Sequence, residues 1–233
     1  MALTNKLDAI GDAIRRKNGE SDKYTLPQMV EKIDAIPSGG GYDYFSFDEE
    51  GNLTGNADYV KQTMFAYDGT TSTKKAGICD FIKTIDLPKC QRVETYAFYK
   101  AQNFTSLSLA ACTQIETNAF RDCLSLSTMN LPACLTISDS AFYGCTSLAS
   151  VDLPVCTTIN TYAFYGCKKL ATLILRNTEK VVTGSSDALT NTPIASGTGY
   201  IYVPDALVDS YKATTTWSTY ADQIKPLSEL PTS

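Results

Sequence analysis

The chain has 233 residues, 43% of them hydrophobic, and its 20 basic and 25 acidic residues give a formal net charge of −5. This length suits one large domain or two small ones. No basic cluster exceeds "RRK" at 15–17, which argues against a nucleic-acid partner. The sequence contains no histidine, so it lacks the usual general base, the Ser-His and Cys-His nucleophile pairs and any histidine-containing metal site. We therefore predict no enzyme, no cofactor and no metal site.

The opening segment, "MALTNKLDAIGDAIRRKNG", carries charges that interrupt any apolar core of a signal peptide. No run in the sequence approaches the roughly 18 apolar residues that a transmembrane helix needs. We predict a protein made in the cytoplasm, with no signal peptide, no transmembrane segment and no membrane insertion.

Residues 1–36 predict a hairpin of two short helices. The first has apolar residues at steps of four, three and four and ends at "NG" (18–19), and the second begins at "YTLPQM", where Thr25 and Gln28 have capping-box spacing. A glycine-rich linker, "PSGGG" at 37–41, separates this hairpin from the rest. The apolar residues that we predict to serve docking or oligomerisation are Leu3, Leu7, Ile10, Ile14, Leu26, Val30 and Ile33.

Such a hairpin either folds back on the rest of the chain or docks on a partner or a second copy. The three consecutive glycines favour docking, because a packed cap rarely needs so flexible a linker. The pattern "LT..L..I..AIR.K.G....YT...M...I..I" resembles a segment recurrent in tail-associated proteins of phages and prophages of Gram-positive bacteria. This resemblance implies a virion partner, or a homo-oligomer, formed through residues 1–36.

Residues 42–76 are rich in Tyr, Phe and Thr around a "DEEGNLTG" turn. We predict a β-rich N-terminal cap with hairpin structure in this segment.

Residues 85–172 repeat one 22-residue unit four times, beginning at 85, 107, 129 and 151, with a frayed unit at 173–194 and half a unit at 77–84. A fixed period of 20–29 residues with Leu, Ile and Cys at set offsets indicates a leucine-rich-repeat solenoid, in which stacked units bury each other's apolar sides. We predict an α/β repeat in which each unit has a parallel strand at the place of "SVDLP", and proline at 88, 132 and 154 ends the strand in three of the four units. A short helical or 3-10 segment would follow around "INTYAFYGC".

The signature "AF..C..L" followed by "V.LP" resembles the BspA-type leucine-rich repeat family of bacterial surface and phage-encoded proteins, over residues 77–194. This resemblance implies a scaffold whose exposed columns vary and carry the function.

Seven of the eight cysteines form a series spaced by 11 residues, at positions 90, 112, 123, 134, 145, 156 and 167, with Ala101 in the remaining place. They divide into two columns, one of Cys90, Cys112, Cys134 and Cys156, and one of Cys123, Cys145 and Cys167, with which Cys79 is in register. Cysteine is among the residues most often buried, so an inert interior ladder is the favoured interpretation. Disulfides between adjacent turns and a metal site are the alternatives. Ala101 in one place of the series, and the lack of any C-x-x-C pair, argue against both.

Two exposed columns are candidate ligand-binding surfaces, and each has an ordinary structural alternative. Short polar side chains on the strand face suit hydrogen bonding to sugars or peptides, but they also describe a solvated sheet. Tyrosines at one-turn spacing, with Arg121 in one place, offer a rigid amphipathic strip, but they can equally shield the core. The candidates are Asp86, Asn130 and Asp152 on the strand face, and Tyr96, Tyr99, Tyr143, Tyr162 and Tyr165 on the other side.

Residues 195–233 predict a strand at 200–203, then a helix, then a turn in which Trp217 covers the last repeat. This segment resembles the C-terminal caps of phage-encoded BspA-type proteins.

We predict a non-enzymatic binding or structural protein, a phage or prophage tail-associated component whose solenoid contacts a cell-surface glycan or protein. Release of virions by lysis would explain the missing signal peptide. The alternative is a bacterial BspA-type surface adhesin or an intracellular protein-interaction scaffold.

Overall fold

The computed structural model describes residues 46–47, 52–55, 59–60 and 82–231. The predicted hairpin at 1–36 with its docking residues, the linker at 37–41, most of the predicted cap at 42–76 and Cys79 lie outside the described residues.

Most strands of the described residues are two to four residues long, because each unit turns a corner soon after every strand. The strands are β1 (Ser46–Phe47), β2 (Asn52–Thr54), β3 (Tyr59–Val60), β4 (Thr84–Asp86), β5 (Arg92–Val93), β6 (Ser106–Ser108), β7 (Gln114–Ile115), β8 (Thr128–Asn130), β9 (Thr136–Ile137), β10 (Ser150–Leu153), β11 (Thr158–Ile159), β12 (Thr172–Leu175), β13 (Val182–Thr183), β14 (Tyr200–Val203) and β15 (Ile224–Pro226). One short α-helix, α1 (Val208–Lys212), accompanies the 3-10 helices Ser186–Leu189, Asp205–Leu207, Ser218–Gln223 and Leu227–Glu229.

The strands form parallel ladders with the period of the sequence. One sheet has the order β1-β2-β4-β6-β8, a second has β10-β12-β14-β15, and a third has β13-β11-β9-β7-β5-β3. In the first sheet Ile85 pairs with Leu107 and Leu107 with Met129, each pair one repeat unit apart. Among the described strands only β1 and β2 pair antiparallel, and β2 then pairs parallel with β4. These repeated parallel strands confirm the predicted α/β leucine-rich repeat fold.

Each unit contributes a second strand that the sequence analysis did not predict. In the third sheet the same one-unit step pairs Val93 with Ile115, Ile115 with Ile137, and Ile137 with Ile159. These strands are two residues long with one residue buried. So short a strand has no alternating pattern to read in the sequence.

The third side of each unit consists of consecutive turns. The N–H of Ala97 donates to Glu94 O and that of Ala101 to Phe98 O, both at 3.1 Å, which is the three-residue spacing of a 3-10 helix. Left-handed residues, such as Tyr96 at φ 58° and Lys100 at φ 60°, keep these turns from forming one continuous helix. Phe98 N–H donates to Ala119 O of the next unit at 2.8 Å, so this side is also bonded between units.

We call residues 85–194 the repeat stack. A ladder of phenylalanines fills its core. Neighbouring rings are nearly parallel, at interplanar angles of 5–6°, and every ring is fully buried. The centroid distances are 5.1 Å for Phe98–Phe120, 5.3 Å for Phe120–Phe142 and 5.5 Å for Phe142–Phe164. Each ring is buried by the units on either side, so no unit could form this core alone.

The cysteines form the interior ladder. All seven described cysteines are buried, and none of them forms a disulfide. In one column Sγ donates to a carbonyl of the preceding unit at 3.2 Å, from Cys145 to Phe120 O and from Cys167 to Phe142 O. Burial raises the pKa of Cys134 to about 12 and that of Cys156 to about 11. These two thiols are therefore protonated at neutral pH.

Beyond the repeats, α1 and the following turn place two large aromatic rings beside β13. Tyr211 and Trp217 are buried, with centroids 5.4 Å apart. The backbone of Val181 bonds to both rings: its N–H donates to Tyr211 Oη and its carbonyl accepts from Trp217 Nε1, each at 2.8 Å. Two polar groups of a buried backbone position are thereby satisfied.

Candidate binding groove

One column of left-handed residues runs along the turn side of the repeat stack. Asp122 (φ 59°) is followed one unit later by Gly144 and two units later by Gly166, both at φ 71°. The column ends at Asn191 (φ 61°) and begins at Lys100 (φ 60°). Two adjacent members of this column thus have no side chain, while the members on either side do.

Backbone bonds determine which residues of the last turn continue the columns. Gly144 N–H donates to Tyr165 O at 2.8 Å, and Gly166 N–H donates to Thr190 O at 2.9 Å. Asn191 therefore follows Gly166 in the left-handed column. In the neighbouring tyrosine column the place after Tyr165 is taken by Thr190, which has no ring.

The tyrosine column forms a stack of three side chains. The guanidinium carbon of Arg121 lies 4.2 Å from the Tyr143 ring centroid, a cation–π contact. The rings of Tyr143 and Tyr165 are 4.8 Å apart and 9° from parallel. Because Arg121 belongs to the unit before Tyr143 and Tyr165 to the unit after it, both faces of Tyr143 are covered. The stack ends at Tyr165.

An open groove of about 690 Å³ borders this stack. Its volume lies in the range of small-molecule sites. Asp122 and Asn191 are three units apart along it, which is roughly 14 Å at a strand spacing of about 4.8 Å. The lining residues are Asp122, Leu124, Tyr143, Gly144, Thr146, Tyr165, Gly166, Lys168, Asn191, Thr192, Pro193 and Ser196.

The glycines form the floor of the groove, and the sequence analysis assigned them no role. A Cβ on Gly144 would lie 2.5 Å from Asp122 Oδ1, whereas the nearest atoms to a Cβ on Gly166 are 3.9 Å away. The signal was present in the sequence: directly after the recurring "AF" the units read "YKA", "RDC", "YGC" and "YGC". Of these four units only the last two lack a side chain at this place, and there the groove opens.

Two of the lining residues are charged, and their signs are opposite. Asp122 is half-buried and Lys168 is exposed. The Nε of Arg121 lies 3.8 Å from Asp122 Oδ2, a weak ion pair at this distance. The groove therefore combines an aromatic wall, a carboxylate, an ammonium group and neutral polar side chains.

The other predicted tyrosines are not part of the groove lining: Tyr96 and Tyr162 lie beside the tyrosine column, and Tyr99 lies in it. Tyr96 meets Tyr99 edge to face at 5.5 Å, and Tyr162 meets Tyr165 in the same way at 5.6 Å. Tyr96 and Tyr162 are left-handed, at φ 58° and 57°, and Tyr162 is 41% exposed. Tyr99 stands two units before Tyr143 in the tyrosine column, with the Nζ of Lys100 5.0 Å from its ring centroid.

The strand-face candidates do not form the single row expected from the repeat. Asp86 and Asn130 belong to the first sheet, in register through Ser108. Asp152 lies on β10 of the second sheet, and in the described residues no ladder joins β8 to β10. Met129 on β8 is only partly buried, whereas its counterparts Leu107 and Val151 are fully buried. The row is interrupted at this less well-packed strand.

Within the described ranges, no helix is long and apolar enough to cross a bilayer. No three acidic or cysteine side chains gather there as ligands for a metal ion.

Short parallel strands, a register that repeats with the sequence period and interior columns of Phe and Cys define a leucine-rich repeat protein. The sequence profile of the BspA type leucine rich repeat region matches residues 75–196 in six copies. The chain belongs to this family, as the sequence analysis predicted. Membership supports the predicted non-enzymatic binding repeat protein.

The solved structures that are similar to this chain include the following three. The pneumococcal vaccine antigen PcpA is 16% identical, over 78% of this chain and 46% of that one, with a TM-score of 0.42. A leucine-rich repeat protein from Bacteroides ovatus is 18% identical over 70% and 58%, with a TM-score of 0.36. A leucine-rich cell surface protein from Faecalibacterium prausnitzii is 15% identical over 60% and 54%, with a TM-score of 0.25.

The chain thus spans about half the length of these three proteins, between 46% and 58%. A comparison with curated proteins finds no significant match.

Proposed function

We propose that the chain is a phage or prophage tail-associated binding protein whose solenoid contacts a cell-surface glycan or protein through the groove beside Tyr165. The observation that carries this proposal is the ordered stack of Arg121, Tyr143 and Tyr165 along the wall of an open groove. Aromatic side chains held in one geometry lose little entropy when a ligand binds, and they dominate many binding surfaces.

The groove is rigid because it is built on bonds between units. Phe142 N–H donates to Ala163 O and Gly144 N–H to Tyr165 O, both at 2.8 Å. The residues next to these tyrosines in the chain, Phe142 and Phe164, are a stacked pair of the core ladder. A binding surface supported in this way is organised before its ligand arrives.

The tail association rests on the pattern in residues 1–36. Docking of the apolar stripe on a virion partner, or on a second copy, would leave the repeat stack free to meet a cell surface. A surface adhesin or an intracellular scaffold would use the same groove without such docking. A gene placed among tail-morphogenesis genes supports the tail role, and an isolated locus supports the alternative.

The role of the groove in binding is tested with a double variant of the full chain, Tyr143→Ser and Tyr165→Ser. The measurement is co-sedimentation with purified cell walls from a panel of Gram-positive bacteria. We expect retention to fall by about tenfold or more, while Tm stays within a few degrees. Tyr200→Ser is the matched control, because Tyr200 is an exposed tyrosine on β14 outside the groove. Unchanged retention with a large fall in Tm would show that the tyrosines only cover the core.

A further inference from the structure

We propose that the groove binds a neutral glycan, with one sugar ring stacked on the outer face of Tyr165 above the floor formed by Gly166. This inference rests on the proposed binding function and adds the class and the position of the ligand.

The stacking position follows from where the tyrosine column ends. Tyr143 lies between Arg121 and Tyr165, so neither of its faces is open to a ligand. The next position in the stack is that of Thr190, whose carbonyl accepts a hydrogen bond from Gly166 N–H. The side chain of Thr190 has no ring. The groove is lined by Tyr165 and by Asn191, the residue next to Thr190, so a ligand ring in it can stack on Tyr165 beside the small side chain of Thr190. An aromatic face carries partial negative charge, so it attracts the C–H groups on one face of a sugar ring.

The polar lining suits hydroxyl groups, which both donate and accept. Asp122 can only accept, Lys168 can only donate, and the amide of Asn191 does both. Two cations, Arg121 and Lys168, and one carboxylate, that of Asp122, lie in or beside the groove, so its net charge is small and gives little field to concentrate a polyanion. A neutral polyhydroxylated ligand matches this combination better than an acidic polymer does.

The backbone of the floor argues against an extended peptide as the occupant. The N–H groups of Gly144 and Gly166 already donate to the carbonyls of Tyr165 and Thr190. A peptide that adds to a sheet edge needs unbonded backbone groups on the receiving strand. Recognition here must come from side chains, and the missing side chains at the two glycines let the ligand approach closely.

The sharpest test fills the floor without disturbing the backbone. Gly166→Asn introduces a side chain at φ 71°, a conformation close to that of Asn191 in the same column, and its Cβ would make only ordinary van der Waals contact with the backbone of Gly144, at 3.9 Å. Gly144 is unsuitable, because a Cβ there would collide with Asp122. Lys100→Asn is the matched control: it places the same residue in the same column, outside the groove lining. A second variant, Tyr165→Leu, keeps apolar bulk and removes the flat face.

The full chain and the three variants are tested for retention by the same panel of cell walls. One portion of the walls is treated with protease, and another with periodate, which cleaves the vicinal diols of sugars. We expect wild type and Lys100→Asn to be retained, and Gly166→Asn and Tyr165→Leu to lose about tenfold or more. Periodate should abolish retention and protease should not. Raising NaCl from about 0.05 to about 0.5 M should change retention less than about twofold, because screening acts on charged ligands.

Each contrary result overturns a different statement. Retention of both groove variants at the wild-type level would show that the ligand binds outside this groove, although binding to a cell surface would stand. Loss on protease-treated walls alone would identify a protein ligand, and a steep loss with salt would identify an anionic one. Failure of the wild type to bind any of the walls would overturn the proposed function itself.

Discussion

Arg176 forms a salt bridge with Asp152 of the preceding repeat unit. Its Nη2 lies 2.8 Å from Oδ2, and its Nε lies 3.1 Å from both carboxylate oxygens. The hydrogen bond to Asp152 raises the pKa of Arg176. Asp152, a candidate ligand-binding residue on the strand face, therefore already has a partner within the protein. The two side chains are 42% and 43% exposed, and exposed pairs of this kind stabilise proteins by less than about 1 kcal/mol.

We predict that Arg176→Ala lowers the free energy of unfolding by less than about 1 kcal/mol. It should also leave retention by cell walls unchanged, because the pair lies outside the groove lining. Urea unfolding at low and high salt, together with co-sedimentation, measures both effects. A clear loss of binding would indicate that the ligand binds on the strand face instead of in the groove.

The phenylalanine ladder should dominate stability. Phe142 is fully buried between Phe120 and Phe164, so Phe142→Ala should cost about 3–5 kcal/mol of unfolding free energy. Tyr200→Ala, at a residue that is 42% exposed, should cost about 1 kcal/mol or less. Similar values for the two variants in urea unfolding would contradict the ladder as the core of the stack.

All eight cysteines should be reduced in the native protein. Seven are buried outside any disulfide, and a thiol reagent therefore has no access to them until the fold opens. We expect the native protein to react at fewer than two thiols, and the protein in denaturant without reductant to react at eight. A count of six or fewer in denaturant would indicate a disulfide.

The buried thiols should make the fold sensitive to alkaline pH. Burial raises the pKa of Cys156 from an ordinary value of 9.0 to about 11, and that of Cys134 to about 12. Their contribution is therefore fully present below about pH 9 and is lost as pH rises towards the folded values. Each thiol should remove up to about 1.4 kcal/mol per pH unit in that range.

The alkaline effect is measured as Tm from about pH 8 to about pH 11, which covers the start of the range in which linkage predicts the loss. The double variant Cys134→Ala with Cys156→Ala is the control, since lysines and tyrosines also titrate there. We expect Tm of the variant to fall less steeply than that of the wild type. Parallel curves would show that these thiols titrate as they do in the unfolded chain.

The hairpin that the sequence predicts for residues 1–36 should govern assembly rather than folding. Its stripe, which includes Leu7 and Ile14, predicts more apolar surface than so short a hairpin buries alone. Leu7→Asp with Ile14→Asp in the full chain should reduce the mass measured by light scattering and leave the Tm of the repeat stack unchanged. A cooperative transition at a much lower temperature would make the hairpin an integral part of the fold.

The sequence alone determined the period, the parallel strands and the inward columns. Phe164 has a phenylalanine counterpart in each of the four repeat units, and Cys167 has a cysteine counterpart in all but the first, which has Ala101. Only the interior of a stack demands a similar apolar residue at each turn. Exposed positions, such as those of Leu124 and Lys168, are not under this constraint. The repeat therefore predicted the core, the family and the tyrosine column, but not the glycine floor of the proposed groove.

The position of the groove follows only from the tertiary structure. Thr190 follows Tyr165 in the column because Gly166 N–H donates to Thr190 O, as Gly144 N–H donates to Tyr165 O one unit earlier. The segment from Gly166 to Thr190 is longer than the segment from Gly144 to Tyr165. These extra residues interrupt the sequence period. The period alone therefore cannot show which residue of this turn follows Tyr165 in the column.

The interruption between β8 and β10 is likewise absent from the pattern. The segments "MNLP" and "VDLP" fit the same repeat and differ in how well one side chain fills its layer. Repetition specifies what every unit shares, whereas a site arises where neighbouring units differ. Only packing shows which of those differences meet, because it brings together side chains that the sequence keeps a full unit apart.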